Sequence, residues 1–146
     1  MTFAPTGPGV ATRPSTAVLW GLRIVGAALL AVMGWIHLDL WLAGYRTIAV
    51  IGPAFLLNVL TGFGLAVLLL IAPRRFLPWV AGLGALTALG TLGGLLCSTF
   101  LGLFGFKETT AAGLWWESFW VEIAVVVVLA ALAVLSSRGR THRRTG

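Results

Sequence analysis

Charged side chains are scarce in this sequence, and acidic ones are scarcer than basic ones. Only 10% of the 146 residues are charged, with four acids against ten Lys and Arg, while 59% are hydrophobic. A soluble domain is nearer a quarter charged, so the composition excludes an ordinary soluble protein. Cysteine is also nearly absent. The single Cys97 excludes an intramolecular disulfide, and we interpret it as a small apolar filler in a helix.

Four long apolar stretches account for most of the chain. Each reaches the roughly 20 residues that a membrane-spanning helix requires. The sequence therefore predicts an all-α integral membrane protein, a four-helix antiparallel bundle in a single domain of residues 17–135. The predicted spans are residues 17–40, 48–72, 77–100 and 114–135.

The two ends of the chain differ from this domain in composition. Residues 1–16 are rich in Pro, Gly and Thr, a composition that predicts disorder. The first apolar run is too long for the apolar region of a signal peptide, so we expect an uncleaved first span. Residues 136–146 form a basic tail, which we expect to lie against anionic lipid and not to bind nucleic acid.

Basic residues collect on one side of the predicted bundle, and this predicts its orientation. Only Arg46 and Lys107 fall on the opposite side. Loops with excess Lys and Arg face the cytoplasm, so both termini are predicted to be cytoplasmic. Abundant Arg, Ala, Gly and Leu are typical of proteins from GC-rich bacteria. We therefore expect a multi-pass protein of a bacterial inner (cytoplasmic) membrane. The basic residues on the cytoplasmic side are Arg13, Arg23, Arg74, Arg75, Arg138, Arg140, Arg143 and Arg144.

Small residues recur at helical spacing and predict close helix packing. The third helix contains the GxxxG pair Gly90–Gly94, the second contains Gly62 and Ala66, and the first contains Ala27 and Ala31. Small side chains let helix backbones approach each other in lipid, where no hydrophobic force drives helices together. We therefore expect these positions to form helix–helix contacts.

A polar residue lies at a similar depth in each predicted helix. Counting from the basic side at about 1.5 Å per residue, each of the four lies roughly 21 Å into the membrane. Glu122 is the most informative, because an intramembrane carboxylate is costly and faces the bundle interior or water. We take this layer as a candidate ligand-binding or proton-handling site and include two neighbouring side chains, Asp39 and Trp120. The four residues of the layer are His37, Asn58, Thr91 and Glu122.

Simpler interpretations stay open for several of these residues. Asn58 and Thr91 are the kind of side chain that often only forms hydrogen bonds between helices. His37 and Asp39 are two residues apart, which places them on nearly opposite helix faces. We therefore expect His37 to lie close to Glu122, with the first and fourth helices adjacent, and Asp39 to face water.

The chemistry of such a site is narrowed by what the chain lacks. Zinc needs three or four ligands, so no metal site is predicted. A bis-histidine haem is not expected, because the second histidine, His142, is in the tail. A quinone pocket needs only a His, an acid, a hydrogen-bond donor and aromatic walls, which Trp35, Phe119 and Trp120 could supply. No catalytic constellation is present, which favours a non-enzymatic role.

The segment LRIVGAALLAVMGWIHL resembles the first helix of the DoxX-like superfamily of small four-helix bacterial membrane proteins. The resemblance covers about twenty residues and consists of Arg23, Gly26, Gly34 and the polar residue His37. The family commonly has Lys at the last position, and often an acid in its second helix, where this chain has Asn58. The rest of the chain resembles uncharacterised four-helix proteins of GC-rich bacteria. The resemblance implies the four-helix architecture and an association with quinone or redox chemistry, as in some relatives.

Three functional hypotheses follow. The first is an accessory protein or subunit of a larger membrane complex, with membrane-protein partners or as a homo-oligomer. The second is a quinone- or redox-associated protein in which Glu122 and His37 handle protons. The third is a small proton-coupled transporter that uses Glu122 as its coupling carboxylate. No motif names a ligand or a partner.

Overall fold

The computed structural model of the chain describes residues 14–141, which form four α-helices. Within these residues there is no β-strand, and all four helices are long and apolar enough to cross a membrane. The predicted all-α, four-helix membrane protein is therefore confirmed, while the orientation and the bacterial origin stay predictions. The helices are α1 (Thr16–Ala43), α2 (Ile51–Ile71), α3 (Leu77–Phe100) and α4 (Trp115–Thr141).

The helix boundaries differ from the predicted spans at three places. α1 continues to Ala43. The next residue, Gly44, caps the helix with a φ of 140°, in the left-handed region that is open to glycine. A short 3₁₀ turn, Tyr45–Thr47, follows, so α2 begins at Ile51. α4 continues through residues 136–141, so part of the predicted tail is helical. Disorder is predicted for residues 1–16. Residues 1–13 lie outside the described residues, as does the end of the tail, 142–146, whereas Ser15 caps α1 and Thr16 begins it.

The bundle consists of two helical hairpins. α1 packs along α2, and α3 packs along α4. The hairpins meet mainly where α1 contacts α4, while α2 and α3 touch only sparingly despite their short connection. The predicted adjacency of the first and fourth helices is therefore confirmed, and a cleft is left between α2 and α3.

The two ends of the bundle carry different charges, and we name them accordingly. The basic end is where α1 begins and where α2 joins α3 at Arg74 and Arg75. The acidic end is where α1 joins α2 and α3 joins α4, and it carries Asp39, Glu108 and Glu117. At the basic end Arg74 donates a hydrogen bond to Thr16, which ties the α2–α3 turn to the start of α1.

The hydrophobic core fills the half of the bundle nearer the basic end. Leu30, Leu69 and Leu132 are fully buried there. Two glycines provide the space for Leu129 of α4. A β-carbon on Gly26 of α1 or on Gly84 of α3 would lie 2.6 and 2.5 Å, respectively, from methyl groups of that leucine. The tight packing of this half closes the bundle interior toward the basic end.

The predicted packing of small residues is right for α2 and wrong for α3. A β-carbon on Gly62 would lie 2.9 Å from Cα of Gly34 in α1, so these two backbones are in direct contact. Gly90 and Gly94 have no atom of another helix within 4 Å of a β-carbon. The GxxxG pair does not bring helices together because it faces the cleft between α2 and α3.

The side chain of Arg23 does not extend to the aqueous phase, although we counted it among the basic residues on the cytoplasmic side. It is buried, and its guanidinium donates to the carbonyl oxygens of Leu69 (2.9 Å), Leu70 (3.1 Å) and Ala72 (2.5 Å). The last carbonyls of a helix lack partners within the helix and attract positive charge. Arg23 of α1 therefore caps the end of α2.

Candidate functional site

A cavity of about 320 Å³ occupies the half of the bundle nearer the acidic end. Its back is formed by α1 and α4, its sides by α2 and α3, and its cover by the connection between α3 and α4. Gly90 and Gly94 line it without contributing a side chain. Larger residues at these two positions would fill part of the space, so the cavity depends on the two glycines of α3.

The polar layer predicted from the sequence lines this single cavity. His37 of α1, Asn58 of α2, Thr91 of α3 and Glu122 of α4 all contribute to its wall. Glu122 is seven residues into α4, which places it about 10 Å from the acidic end of that helix. The geometry of the layer is thus as expected, and its role as a binding site stays a prediction.

His37 and Glu122 form the most buried polar pair of the cavity. Their exposed fractions are 6% and 1%, and Nε2 of His37 lies 3.8 Å from Oε1 of Glu122. The predicted proximity of these two side chains is therefore confirmed. The other carboxyl oxygen, Oε2, has no hydrogen-bond partner among residues 14–141. A buried polar atom without a partner is costly, so this oxygen marks the place where a bound molecule would contribute most.

The orientation of the imidazole is set by its own helix. Nδ1 of His37 lies 2.9 Å from the carbonyl oxygen of Met33. A carbonyl only accepts, so Nδ1 carries the proton and donates it to this bond. Nε2 is then the atom that faces Glu122. The ring of Phe55 lies 5.1 Å from the imidazole, centre to centre, and holds it from the α2 side.

Two predicted site residues lie away from the cavity. Asp39 is exposed, as its two-residue spacing from His37 predicted. Trp120 is 61% exposed and does not line the cavity, so its prediction as an aromatic wall is wrong. It is two residues from Glu122, and that spacing turns it to the opposite side of α4. Trp35 points outward for the same reason, since it is two residues from His37.

The aromatic walls come from residues that sequence reasoning did not select. Phe55 is one helical turn before Asn58 and shares its face, so helical spacing could have identified this one from the sequence. Trp115 donates from its indole nitrogen to Thr99 at 3.0 Å, which joins the start of α4 to α3. The aromatic residues lining the cavity are Tyr45, Phe55, Phe106 and Trp115.

A hydrogen bond between the two connections closes the acidic end of the cavity. The hydroxyl of Tyr45 donates to Oε2 of Glu108 at 2.5 Å, and its ring stacks on Phe55 and meets Phe106 edge-on. Burial, followed by the Glu108 carboxylate, raises the pKa of Tyr45 well above its ordinary value of 10.0. The backbone N–H of Glu108 also donates to Ser98 at 3.0 Å, which holds this connection against α3.

The cavity opens sideways between α2 and α3. Leu57 of α2 and Leu86 of α3 line it and are nevertheless 60% and 65% exposed. Both lie within helices that are long enough to cross the membrane, so the exposed side of this opening faces lipid. A molecule dissolved in the bilayer could enter here without passing through water.

A metal centre is not supported by the described part of the chain. Residues 14–141 contain no group of three His, Cys, Asp or Glu side chains that could hold an ion. His37 and Glu122 alone provide two ligands, fewer than a zinc site uses.

Comparison with known proteins finds no matching protein family, curated protein or solved structure. The DoxX-like resemblance of the first helix stays a prediction.

Proposed function

We propose that this small integral membrane protein binds a membrane-soluble molecule in the cavity and holds its polar end against His37 and Glu122. The observation that carries the proposal is Oε2 of Glu122, a buried oxygen without a partner among the described residues, on the wall of a largely apolar cavity. A carboxyl group inside a membrane bundle is expensive and is generally found where it contacts a ligand, an ion or water.

The shape of the cavity supports a ligand of lipid-like solubility. Its volume is within the lower range of small-molecule sites, which are largely apolar with a few polar groups. The opening between Leu57 and Leu86 leads into the hydrocarbon region, while the Tyr45–Glu108 bond covers the acidic end. Entry from the bilayer is therefore the more direct route.

Within this proposal, a quinone is one candidate ligand. The aromatic rings of Phe55 and Trp115 offer surfaces on which a flat ring can stack, and His37 and Glu122 could exchange protons with the phenolic hydroxyl groups of its reduced form, the quinol. This supports the hypothesis of a quinone- or redox-associated protein, to which the resemblance of the first helix also points.

A transport role is less well supported than binding. Transport would require Glu122 to be reached from both sides of the membrane. Toward the basic end, Val125, Leu129 and Leu132 of the same helix are fully buried in the packed core. Access on that side needs the two hairpins to separate, so we propose transport only as a further alternative.

An accessory role in a larger membrane complex is compatible with ligand binding. Most of residues 14–141 lie in the four helices, and the longest connection is residues 101–114, so a protein partner would be contacted chiefly within the membrane. Trp116 and Trp120 lie exposed on α4 and are available for such contact. Mass spectrometry of the proteins that co-purify in mild detergent tests this proposal, and recovery of the chain alone counts against it.

The experiment for ligand binding compares two glycine variants of α3. Gly94→Leu places a side chain into the cavity, and Gly93→Leu places the same side chain on the exposed face next to it. Neither β-carbon meets another atom within 4 Å, so both variants are expected to fold. Organic extraction of protein purified from its native membrane, followed by mass spectrometry, reports bound small molecules.

We expect a molecule that is stoichiometric in the wild type and in Gly93→Leu, and reduced at least about tenfold in Gly94→Leu, because the added side chain occupies its place. Equal recovery from both variants would show that the extracted molecule is a membrane lipid that binds to the protein outside the cavity. No enriched molecule in the wild-type protein would refute the proposal.

A further inference from the structure

We infer that the polar end of the bound molecule is a hydroxyl group, whose single oxygen bridges His37 Nε2 and the Glu122 carboxyl. This inference rests on the proposed function and adds the chemical class of the ligand, which is a neutral apolar alcohol or phenol. It follows from the separation of the two side chains, from the protons they can carry and from the charge of the cavity wall.

The separation of the pair fits one intervening atom. At 3.8 Å, Nε2 and Oε1 are too far apart for a direct hydrogen bond. An oxygen atom at an ordinary hydrogen-bond distance of about 2.8 Å from each can contact both. The glycine contact between Gly34 and Gly62 leaves α1 no free space on its other side, so the packing of the bundle holds this separation.

The number of protons on the pair is limited by burial. Nδ1 of His37 already donates to Met33. A net charge inside the bundle is costly, so the pair is most stable when it is neutral overall, with one proton between Nε2 and the carboxyl. That proton either makes Glu122 a neutral acid beside a neutral imidazole, or makes His37 an imidazolium beside a carboxylate.

Both arrangements present the ligand with the same pattern. One member of the pair donates and the other accepts, whichever of them holds the proton. A hydroxyl oxygen accepts from the first and donates to the second, so Nε2 of His37 and Oε1 of Glu122 each gain a hydrogen bond. A ketone or an ether only accepts, so the accepting member of the pair stays buried without a donor. The free energy of binding is then weaker by about one hydrogen bond.

Charged head groups are disfavoured by the wall of the cavity. Among residues 14–141 no Lys or Arg lines it, so a carboxylate or phosphate would meet Glu122 and Glu108 without a lysine or arginine to compensate its charge. An ammonium group only donates, so the pair would have to release its shared proton before both Nε2 and the carboxylate could accept from it. The remaining wall is largely apolar, which suits a hydrocarbon chain or ring attached to the hydroxyl.

The test uses the full chain in lipid nanodiscs and a photoreactive long-chain primary alcohol. Competitors are the unlabelled alcohol and its methyl ether, ammonium and carboxylate analogues of equal chain length. Mass spectrometry identifies the labelled peptides and gives the concentration of each competitor that halves labelling. We expect labelling of cavity residues on α2 and α3, with the alcohol competing about tenfold better than the ether, as expected for the loss of one buried hydrogen bond.

Two variants connect this preference to the pair. The double substitution His37→Phe with Glu122→Leu makes the wall apolar, and we expect alcohol and ether to compete equally while the ether still binds, which shows that the fold is kept. The matched control is Asp39→Asn, which changes an exposed carboxylate outside the cavity and is expected to keep the tenfold preference.

The outcomes separate the inference from the proposed function. If cavity residues are labelled but the ether or the ammonium analogue competes as well as the alcohol, the hydroxyl inference is wrong and ligand binding stands. If the double variant retains the preference for the alcohol, the pair is not its source and the inference is again wrong. If no probe labels the cavity, the proposed function fails and the inference fails with it.

Discussion

Nε2 of His37 lies 3.8 Å from Oε1 of Glu122, and the two residues come from helices at opposite ends of the sequence. Their contact joins the α1–α2 hairpin to the α3–α4 hairpin at the depth where the cavity begins. From this pair toward the basic end the interior is filled by leucine side chains, and toward the acidic end it is open. The pair therefore lies at the boundary between the structural half and the candidate binding half of the bundle.

The two members of the pair are expected to respond differently to substitution. His37→Leu leaves the Glu122 carboxyl buried without its neighbour and should lower the free energy of unfolding by about 1–3 kcal/mol. Glu122→Leu removes the buried polar group and should be neutral or stabilising, because hydrophobic replacement removes a desolvation cost. Thermal unfolding in detergent measures both. A double variant as unstable as His37→Leu alone would contradict this explanation, since it contains no carboxyl to strand.

The crossing of α1 and α2 depends on Gly62. A leucine there would place its β-carbon 2.9 Å from Cα of Gly34 and 3.0 Å from the Leu30 carbonyl oxygen, both of which are backbone atoms. We expect Gly62→Leu to destabilise the protein by at least about 1–3 kcal/mol, as for overpacking of a core. Gly64→Leu is the control on the same helix, because its β-carbon meets nothing within 4 Å. Equal melting temperatures for the two variants would rule out the close crossing.

We expect the cap at the end of α2 to require the planar guanidinium of Arg23, which presents several donors in a fixed geometry. Arg23→Leu leaves the carbonyls of Leu69 and Ala72 without their donor, which should cost about 1.5–3 kcal/mol for bonds to a charged group. Arg23→Lys keeps the charge but cannot reach several carbonyls in a fixed geometry, so its stability should be intermediate. Arg74→Leu removes a single exposed hydrogen bond, to Thr16, and should cost less than Arg23→Leu, at most about 1 kcal/mol. Chemical unfolding in detergent ranks the three variants.

The cover of the cavity can be followed through Tyr45, which is the one tyrosine in the chain. Burial and then Glu108 raise its pKa above 10.0, so tyrosinate absorbance should appear only well above that pH. In Glu108→Gln the carboxylate is absent and the pKa should fall, while burial keeps it above the ordinary value. Because the folded pKa exceeds that of the unfolded chain, the stabilisation is complete below about pH 10 and is lost as the pH rises beyond it. Titration of the wild type at the ordinary pKa would show that Tyr45 is not covered.

The orientation of the bundle can be tested with reporters. A fusion at Gly146 should report the cytoplasm, and an insertion at Thr110 should report the outside, because the excess of Lys and Arg sets orientation. The burial of Arg23 removes one charge from this argument, but the remaining basic residues still favour the same side by a wide margin. Activity of a cytoplasmic reporter at Thr110 would reverse the assignment.

The sequence by itself determined the four helices, the depth of the polar layer and the opposite directions of His37 and Asp39. These features depend on local quantities: the length of an apolar run, the rise of a helix and the turn of about 100° per residue. The same arithmetic would have turned Trp120 away from Glu122, had it been applied to that pair. Periodicity could thus have removed one wrong site residue without any structure.

Only the tertiary structure decided which small residues bring helices together and which leave a space. Gly62 and Gly90 look alike in the sequence, yet one contacts Gly34 and the other faces an opening. A glycine permits close approach, but whether a neighbouring helix takes that place depends on how all four helices are rotated and paired. The cavity and the inward orientation of the Arg23 side chain follow from that pairing, because both depend on contacts between segments that are far apart in the chain.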